Sequence, residues 1–306
     1  MTARLLLMKQ LLKPSGNVCL HCDPSASHYI KIMMDGIFGH KNFINEAIWS
    51  YRTGGVSKKW LAKKYDVILC YAKDIKIKYF KPLKERIYYE KPFFTTEKDE
   101  NGKYYSDVYL RDVWDDIKPL INVSKERLGY PTQKPIALLR RIIELFCPQD
   151  GIVFDPFCGC GATIYSTHEL NKDTKSTRKW IGCDIATLSI SIVNSILQEK
   201  YYLKKDNDYV INGIPVNVEQ CIMLFDKKEK HNQNCGKFTF QSFAIELVGG
   251  LESNKKTADK GVDGRIWFYK DLKDVPTKTL QTMILSVKGG KNVDIGDVER
   301  LIATMN

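Results

Sequence analysis

A strand followed by a glycine turn and a helix is the feature that most constrains the fold of this chain. The apolar run Gly151–Phe154 predicts the strand, Asp155–Gly161 (DPFCGCG) predicts the turn, and Ile164–Leu170 predicts the helix. Gly159 and Gly161 carry no Cβ, so a ligand can approach the backbone, and a helix N-terminus offers unpaired N–H groups. The sequence therefore predicts a ligand site at this turn.

The elements around the turn predict an α/β fold of Rossmann-like type. Helical patterns alternate with apolar strands, and this alternation favours a sheet covered by helices on both faces. The helical patterns are Leu5–Leu12, Tyr29–Phe38, Ile136–Phe146 and Leu188–Gln198, and the clearest strands are Asn17–His21, Asp66–Tyr71 and Lys179–Cys183. Asp184 ends the strand after the glycine turn, where a carboxylate of a doubly wound fold can accept both hydroxyls of a ribose.

The residues of the turn distinguish between two candidate cofactors that contain adenosine, NAD and S-adenosylmethionine. NAD fits less well, because Ile164 stands where the third glycine of GxGxxG would be and the Asp155 carboxylate would oppose a pyrophosphate. S-adenosylmethionine carries a positive sulfonium and an ammonium, and an acidic loop suits both charges. We therefore expect S-adenosylmethionine as the cofactor and keep a nicotinamide-dependent oxidoreductase as the weaker alternative.

Two motifs in this region carry a resemblance to a known family. Residues 155–163 (DPFCGCGAT), preceded by residues 129–135 (GYPTQKP), resemble the paired cofactor motifs of DNA amino-methyltransferases. In a permuted, beta-type class of these enzymes the cofactor motifs follow the catalytic half, which residues 12–23, 38–39 and 45–49 resemble. The resemblance covers about residues 5–200. It implies methylation of adenine N6 or cytosine N4 in double-stranded DNA, within a restriction–modification system.

The same resemblance assigns cofactor-binding roles. It places Phe157, Gly159 and Gly161 along the methionine end of S-adenosylmethionine and Asp155 beside it at the strand tip. It also implies that Asp184 binds the ribose and that two residues of the preceding loop close the pocket, namely Thr132 and Lys134.

The family's catalytic loop has no counterpart in this sequence. Its members use Asp, Asn or Ser followed by Pro-Pro and an aromatic residue. The first residue and a backbone carbonyl of the loop accept hydrogen bonds from the amino group, and the aromatic ring stacks on the flipped base. The sequence contains no Pro-Pro pair, and Asp23 is only a weak substitute as acceptor. We expect an N-terminally shortened methyltransferase whose catalytic residues for methyl transfer are unknown. A restriction subunit or a second copy is the expected protein partner.

The charge balance favours a polyanionic partner. Lys and Arg number 47 against 36 Asp and Glu, a net charge of +11, which fits DNA binding or a generally basic soluble surface. Residues 73–125 mix lysines with aromatics. They predict either a nucleic-acid surface or an irregular insertion whose aromatic rings cover a small core of its own.

The cysteines and the N-terminus indicate a cytoplasmic protein with no membrane partner. Nine cysteines scattered through apolar stretches fit reduced thiols. Alternation along a strand directs Cys19 and Cys22 to opposite faces, which argues against zinc. The apolar run Leu5–Met8 is too short to span a membrane and is followed by Lys9.

The C-terminal segment predicts a second site. A carboxylate at the start of one strand and a lysine on the next can hold Mg²⁺ and polarise a water for phosphodiester cleavage. Glu246, Asp263 and Lys288 occur in the order of the Mrr-like restriction endonucleases, with Asp263 as the implied metal ligand. Ser286 stands where that family usually has Glu or Gln, so a module without nuclease activity is the alternative.

The segments together predict two domains. We expect a DNA methyltransferase domain at residues 1–205, a linker at 206–235 and a partial α/β nuclease-like domain at 236–306. The alternative to an active methyltransferase is a catalytically inactive remnant that binds DNA or cleaves it with Mg²⁺.

Overall fold

The computed structural model describes the chain in two units. The described residues are 1–52, 56–92, 94–121, 123–128, 130, 132–213, 240–241, 243–245, 247–248, 250–252, 262–269, 280–288 and 294–305. The first unit is Met1–Cys183 and the second is Asp184–Asn306. Most of the predicted linker lies outside the described residues, and the domain limits at 205 and 236 stay predictions.

The first unit contains four α-helices and nine strands among its described residues. The helices are α1 (Thr2–Leu11), α2 (Pro24–Phe38), α3 (Ile136–Phe146) and α4 (Ala162–Thr174), and His40–Asn42 forms a 3₁₀ turn. The strands are β1 (Asn17–Cys22), β2 (Phe43–Ser50), β3 (Tyr65–Ala72), β4 (Lys84–Tyr89), β5 (Glu97–Lys98), β6 (Tyr104–Tyr109), β7 (Val113–Trp114), β8 (Ile152–Asp155) and β9 (Lys179–Gly182).

The helix predicted at Tyr29 begins five residues earlier than expected. Pro24 opens α2, since a proline fits the first helical turn where its missing N–H is not needed. Asp23 caps the helix, because its carboxylate accepts a hydrogen bond from the backbone N–H of Ser25. The Asp23-Pro24 pair therefore starts the helix.

Strand β3 is the centre of the main sheet, whose strand order is β1-β3-β2-β7. β3 pairs antiparallel with β1 and with β2, while the short β7 pairs parallel with β2. Six consecutive residues of β3, Val67–Ala72, are buried. A strand buried on both faces shows a continuous apolar run, and this is the pattern that predicted it.

Helices cover both faces of this sheet, as predicted. Alternate residues of β3 point to opposite sides, so the strand contributes to two cores. One core joins Val67, Leu69 and Tyr71 to α1 and α2 through Leu5 and Met34. The other joins Ile68 and Cys70 to residues of β2, β7 and α3, namely Ala47, Trp49, Trp114, Leu138 and Leu145.

Residues 84–109 form a regular sheet, so the alternative of an irregular insertion is wrong for this part of residues 73–125. The strand order is β4-β6-β5 and every pair is antiparallel. One face exposes Lys84, Arg86 and Tyr88, which alternate with partly buried neighbours. The Arg86 guanidinium lies 3.7 Å from the centroid of the Tyr105 ring and forms an ion pair with Asp107.

Strands β8 and β9 form a parallel pair that leads into the glycine turn. Ile152 pairs with Lys179 where the two strands begin, and Asp155 pairs with Gly182 where they end. Helix α4 follows the turn and packs against β8, β9 and α3. The predicted strand–turn–helix arrangement is therefore confirmed.

The second unit contains two described helices and a three-stranded antiparallel sheet. They are α5 (Thr187–Glu199), β10 (Leu251–Glu252), β11 (Gly264–Tyr269), β12 (Leu280–Leu285) and α6 (Ile295–Met305), with strand order β10-β11-β12. Lys288 was predicted to lie on the second strand of the nuclease-like pair, but β12 ends at Leu285, three residues before it. Within the described part of the chain, no helix has the length and apolarity to cross a membrane.

The packing of α3 on the sheet generates a stability prediction. Leu138 is 0% exposed in the core under α3, and Leu7 on α1 is 59% exposed. We expect Leu138→Ala to lower the free energy of unfolding by about 2–5 kcal/mol, because it removes buried apolar atoms and leaves a cavity. We expect Leu7→Ala to change it by less than about 0.5 kcal/mol. Urea denaturation followed by circular dichroism measures both, and equal losses would contradict the assigned packing.

Candidate functional site

Two glycines with positive φ shape the turn between β8 and α4. Gly159 has φ +48° and Gly161 has φ +85°, values that non-glycine residues rarely adopt. Gly161 directly precedes the first residue of α4, and its N–H donates to the carbonyl of Cys158. The turn therefore presents backbone without side chains at the N-terminus of a thirteen-residue helix.

Asp155 closes this turn with its side chain. Its Oδ1 accepts a hydrogen bond from the backbone N–H of Phe157 at 3.0 Å, and its Oδ2 accepts one from the hydroxyl of Thr163 in the first turn of α4. The N–H of Cys183 donates to the Asp155 carbonyl, which ties the turn to the end of β9. Each carboxylate oxygen of Asp155 thus has a partner within the chain, and Thr163 is a supporting residue that the sequence interpretation did not include.

The loop before α3 packs directly against the glycine turn. A Cβ built on Gly159 would lie 3.1 Å from Cε1 of the Tyr130 ring, so the ring occupies the space beside the bare backbone. The Gln133 side chain fixes the same loop, because its Oε1 accepts from the N–H of Leu128 and its Nε2 donates to the carbonyl of Glu126. Described residues of the two motif segments, 129–135 and 155–163, therefore lie in contact.

The remaining predicted cofactor residues differ in their surroundings. Phe157 is 47% exposed, and the Arg4 guanidinium of α1 lies 5.3 Å from its ring centroid. Thr132 is exposed on the loop. Asp184 follows Cys183 in the chain, and its Oδ1 accepts a hydrogen bond from the N–H of Ala186, just before α5.

Lys134, the last of the predicted set, belongs to a polar group that the sequence interpretation did not identify. We call His21, Tyr51, Asp66 and Lys134 the Asp66 cluster. Asp66 Oδ2 lies 2.8 Å from Nε2 of His21 and 3.3 Å from Nζ of Lys134. Asp66 Oδ1 accepts from the Tyr51 hydroxyl at 3.3 Å. One carboxylate therefore contacts side chains from β1, from the loop before α3 and from the residue after β2.

The environment of Asp66 keeps it ionised. Burial by itself raises the pKa of the Asp66 carboxyl, but the hydrogen bond from His21 and the positive charge of Lys134 lower it more, so the pKa lies below its ordinary value. Burial and the negative charge of Asp66 raise the pKa of Tyr51, whose hydroxyl therefore stays protonated and donates. The cluster combines a partly buried anion with a lysine cation that is 36% exposed.

The Asp66 cluster borders a cavity of about 310 Å³. Aromatic rings form one side, since Trp49 and Tyr51 lie with their ring centroids 5.2 Å apart. The Trp49 indole N–H donates to the carbonyl of Ile117 and so fixes its ring. The full lining is Trp49, Tyr51, Asp66, Pro119, Leu120, Ile121, Gln133, Lys134 and Pro135.

The predicted nuclease residues are only partly described. Glu246 lies outside the described residues. The Asp263 carboxylate accepts a hydrogen bond from the N–H of Val287, and Lys288 is exposed beyond the end of β12. Among the residues that the structure describes, no three His, Cys, Asp or Glu side chains form a group that could bind a metal ion. The nuclease trio and its Mg²⁺ stay predictions.

Comparison with known proteins assigns the family. The profile of the DNA methylase family of the N6/N4 type matches residues 1–195. The chain therefore belongs to this family, and its class is that of the S-adenosylmethionine-dependent DNA N-methyltransferases.

Type II methyltransferases and a Mod subunit of a Type III restriction-modification enzyme are among the curated relatives of this chain. Type II methyltransferase M.EcaI of Enterobacter cloacae is 25% identical over 89% of this chain and 71% of its own length. The StyLTI Mod subunit of Salmonella typhimurium, a Type III restriction-modification enzyme, is 24% identical over 65% of this chain and 42% of its own length. Type II methyltransferase M.ScaI of Streptomyces caespitosus is 31% identical over 39% of this chain and 40% of its own length. The chain thus spans less than half of the latter two.

Solved structures of methyltransferases also match. The M1.HpyAVI–SAM complex has a TM-score of 0.45 and 20% identity, and the match covers 64% of this chain and 81% of that one. The cytosine-N4-specific PvuII DNA methyltransferase has a TM-score of 0.44 and 11% identity, with 81% of this chain and 75% of that one covered.

The glycine turn generates a matched pair of predictions. Gly159→Ala adds a Cβ at a position with positive φ and places it against the Tyr130 ring. We expect this variant to lower the free energy of unfolding by about 1–2 kcal/mol. Gly36→Ala in α2 places a Cβ in open space, and we expect it to raise stability by up to about 1 kcal/mol through helix propensity. Parallel urea melts decide the comparison, and a neutral Gly159→Ala would refute the strained geometry.

The Asp66 cluster generates a pH-dependent prediction. Because the folded-state pKa of Asp66 is lowered, its stabilisation is present above the ordinary carboxyl pKa and is lost as the pH falls through the lowered value. We expect Asp66→Asn to reduce the free energy of unfolding by about 1–3 kcal/mol at pH 7. The difference from wild type should shrink below about pH 4. Asp107→Asn, in the exposed pair with Arg86, serves as the control and should have a smaller effect. A pH-independent difference for Asp66→Asn would contradict the ionised cluster.

Proposed function

We propose that this chain transfers a methyl group from S-adenosylmethionine to an exocyclic amino group of DNA, either N6 of adenine or N4 of cytosine. The observation that carries the proposal is the glycine turn of the first unit, together with membership of the N6/N4 DNA methylase family. The arrangement of the motifs, with the cofactor-type turn after residues 12–49, supports the permuted class.

The residues of the turn fit an adenosyl ligand with a positively charged end. Gly159 and Gly161 leave the backbone bare at the start of α4, and Asp155 adds a negative charge at the strand tip. The exposed ring of Phe157 lies next to them in the chain and offers an apolar surface. These residues would hold the methionine end of the cofactor, with Thr132 and Lys134 closing the pocket from the preceding loop. Binding of the ribose by Asp184 stays a prediction.

S-adenosylmethionine, when bound, supplies a methyl group on a positively charged sulfonium. Methylation of an exocyclic amine forms the N–C bond, breaks the S–C bond and releases one proton from the amine, so the chain must orient the amine and accept that proton. The aromatic and carboxylate side chains of the cavity, Trp49, Tyr51 and Asp66, are of the types that hold a planar base with an amino group.

The partner of this reaction is double-stranded DNA in a restriction–modification context. The net charge of +11 supports binding of a polyanion, and the names of the curated relatives support the context. The Mod subunits among them support a restriction subunit as a protein partner.

A nuclease-like role of the second unit is a further part of the proposal. The Asp263 carboxylate accepts a hydrogen bond from the N–H of Val287, the residue before Lys288, at one end of the antiparallel sheet. This juxtaposition supports the order of the Mrr-like motif, with Mg²⁺ as the metal that Asp263 would bind.

The test is transfer of a tritiated methyl group from S-adenosylmethionine to unmethylated duplex DNA. We expect label in N6-methyladenine or N4-methylcytosine after digestion to nucleosides. Asp155→Ala should lower the rate by about tenfold or more, because it removes two hydrogen bonds that hold the turn. Asp150→Asn, an exposed residue before β8, is the matched control and should retain the wild-type rate.

Two results would overturn the assignment. Folded wild-type chain that binds S-adenosylmethionine but leaves the DNA unlabelled would refute transfer by this chain. Equal rates for Asp155→Ala and Asp150→Asn would refute the role of the turn.

A further inference from the structure

The segment from Tyr130 to Pro135 connects the glycine turn to the Asp66 cluster within the first unit. At one end the Tyr130 ring packs on Gly159, and at the other end Lys134 contacts Asp66. The Gln133 side chain ties the segment to residues 126–128, and Pro135 directly precedes α3. The same short segment therefore carries both the ring beside the turn and the ammonium beside Asp66.

Several contacts restrict where this ammonium can be. Its Nζ lies 3.3 Å from Asp66 Oδ2 and 6.0 Å from the Trp49 ring centroid. Asp66 is itself fixed from two sides, by His21 at 2.8 Å and by Tyr51 at 3.3 Å. A lysine side chain otherwise loses much rotamer freedom on binding, so a lysine held in place before the ligand arrives binds it at a lower entropic cost.

The charge of Lys134 limits which ligand group it can contact. The sulfonium and the ammonium of S-adenosylmethionine are positive and would be repelled by it. The ligand carries one negative group, the carboxylate of its methionine part, and lysine–carboxylate hydrogen bonds are charge-assisted. The methionine end is also the part that the resemblance places beside the turn.

We propose that Asp66 is a positioning residue which, with His21 and Tyr51, holds the Lys134 ammonium at the cavity wall, where it pairs with the carboxylate of the cofactor. This inference rests on the proposed function, since it takes the glycine turn as the cofactor site. The roles of Asp66, His21 and Tyr51 are additional to those of the turn residues, and none of the three contacts the cofactor directly.

The test compares two ligands that differ in the amino-acid part. S-adenosylhomocysteine carries the carboxylate, and 5′-methylthioadenosine lacks the whole amino-acid group. Calorimetry on the full chain should show Lys134→Gln weakening S-adenosylhomocysteine about tenfold while binding of 5′-methylthioadenosine is unchanged. Asp66→Asn should weaken S-adenosylhomocysteine selectively by about threefold to tenfold, and Asp66→Glu should restore part of the loss.

Two further variants keep the test independent of folding defects. Tyr51→Phe removes only the hydroxyl that contacts Asp66, and it should weaken S-adenosylhomocysteine selectively by about twofold to threefold. Asp107→Asn removes the carboxylate of an ion pair in the β4–β6 sheet, and it should leave binding of both ligands unchanged.

The outcomes separate this inference from the proposed function. Loss of both ligands by equal factors in Lys134→Gln would make Lys134 a structural residue and overturn the inference, while the cofactor site would stand. A selective loss in Lys134→Gln without one in Asp66→Asn and Tyr51→Phe would overturn the positioning role. Unchanged S-adenosylhomocysteine binding in Lys134→Gln, with a weaker salt dependence of DNA binding, would assign Lys134 to a DNA phosphate instead. Absence of binding of either ligand to the wild-type chain would overturn the cofactor site itself.

Discussion

The burial of strand β3 on both faces is the constraint on which the rest of the first unit depends. Its odd-numbered residues from Val67 to Tyr71 pack against α1 and α2, and its even-numbered residues pack toward α3. Antiparallel partners on both sides satisfy its backbone groups. Because such a strand cannot shift by one residue without exchanging its two faces, the register of β1 and β2 is determined as well. The positions of His21 and Asp66 in the Asp66 cluster follow from that register.

The polar cluster lies where this core ends. Asp66 precedes the buried run of β3 by one residue and pairs across the ladder with Trp49. A carboxylate at this position is partly desolvated, and it is stable as an anion only because His21 and Lys134 compensate the burial. The same low exposure strengthens its hydrogen bonds, because the local dielectric is lower than that of water. The sheet therefore provides both the fixed positions and the local environment that the site requires.

Sequence patterns predicted the elements whose apolar periodicity is clear and missed those in which it is absent. Strand β3 and helix α3 were predicted because an apolar run and a 3.6-residue period are visible in single segments. In β4 and β6 the adjacent tyrosines Tyr88 and Tyr89 point to opposite faces, so the residue types show no alternation although the exposure does. The glycine turn was predicted because its residues are contiguous. The Asp66 cluster was not, because His21 and Lys134 lie 45 and 68 residues from Asp66 in the chain.

The loop before α3 makes the two parts of the site interdependent. Tyr130 contacts the glycine turn and Lys134 contacts the sheet, and only a few residues separate them. A displacement of the turn that moves the Tyr130 ring must therefore bend this loop or move the lysine, since Gln133 ties the loop to residues 126–128. A ligand on the turn and a change at Asp66 thus act on the same short segment. Their effects on binding should be non-additive, as expected for residues that share a rigid connection.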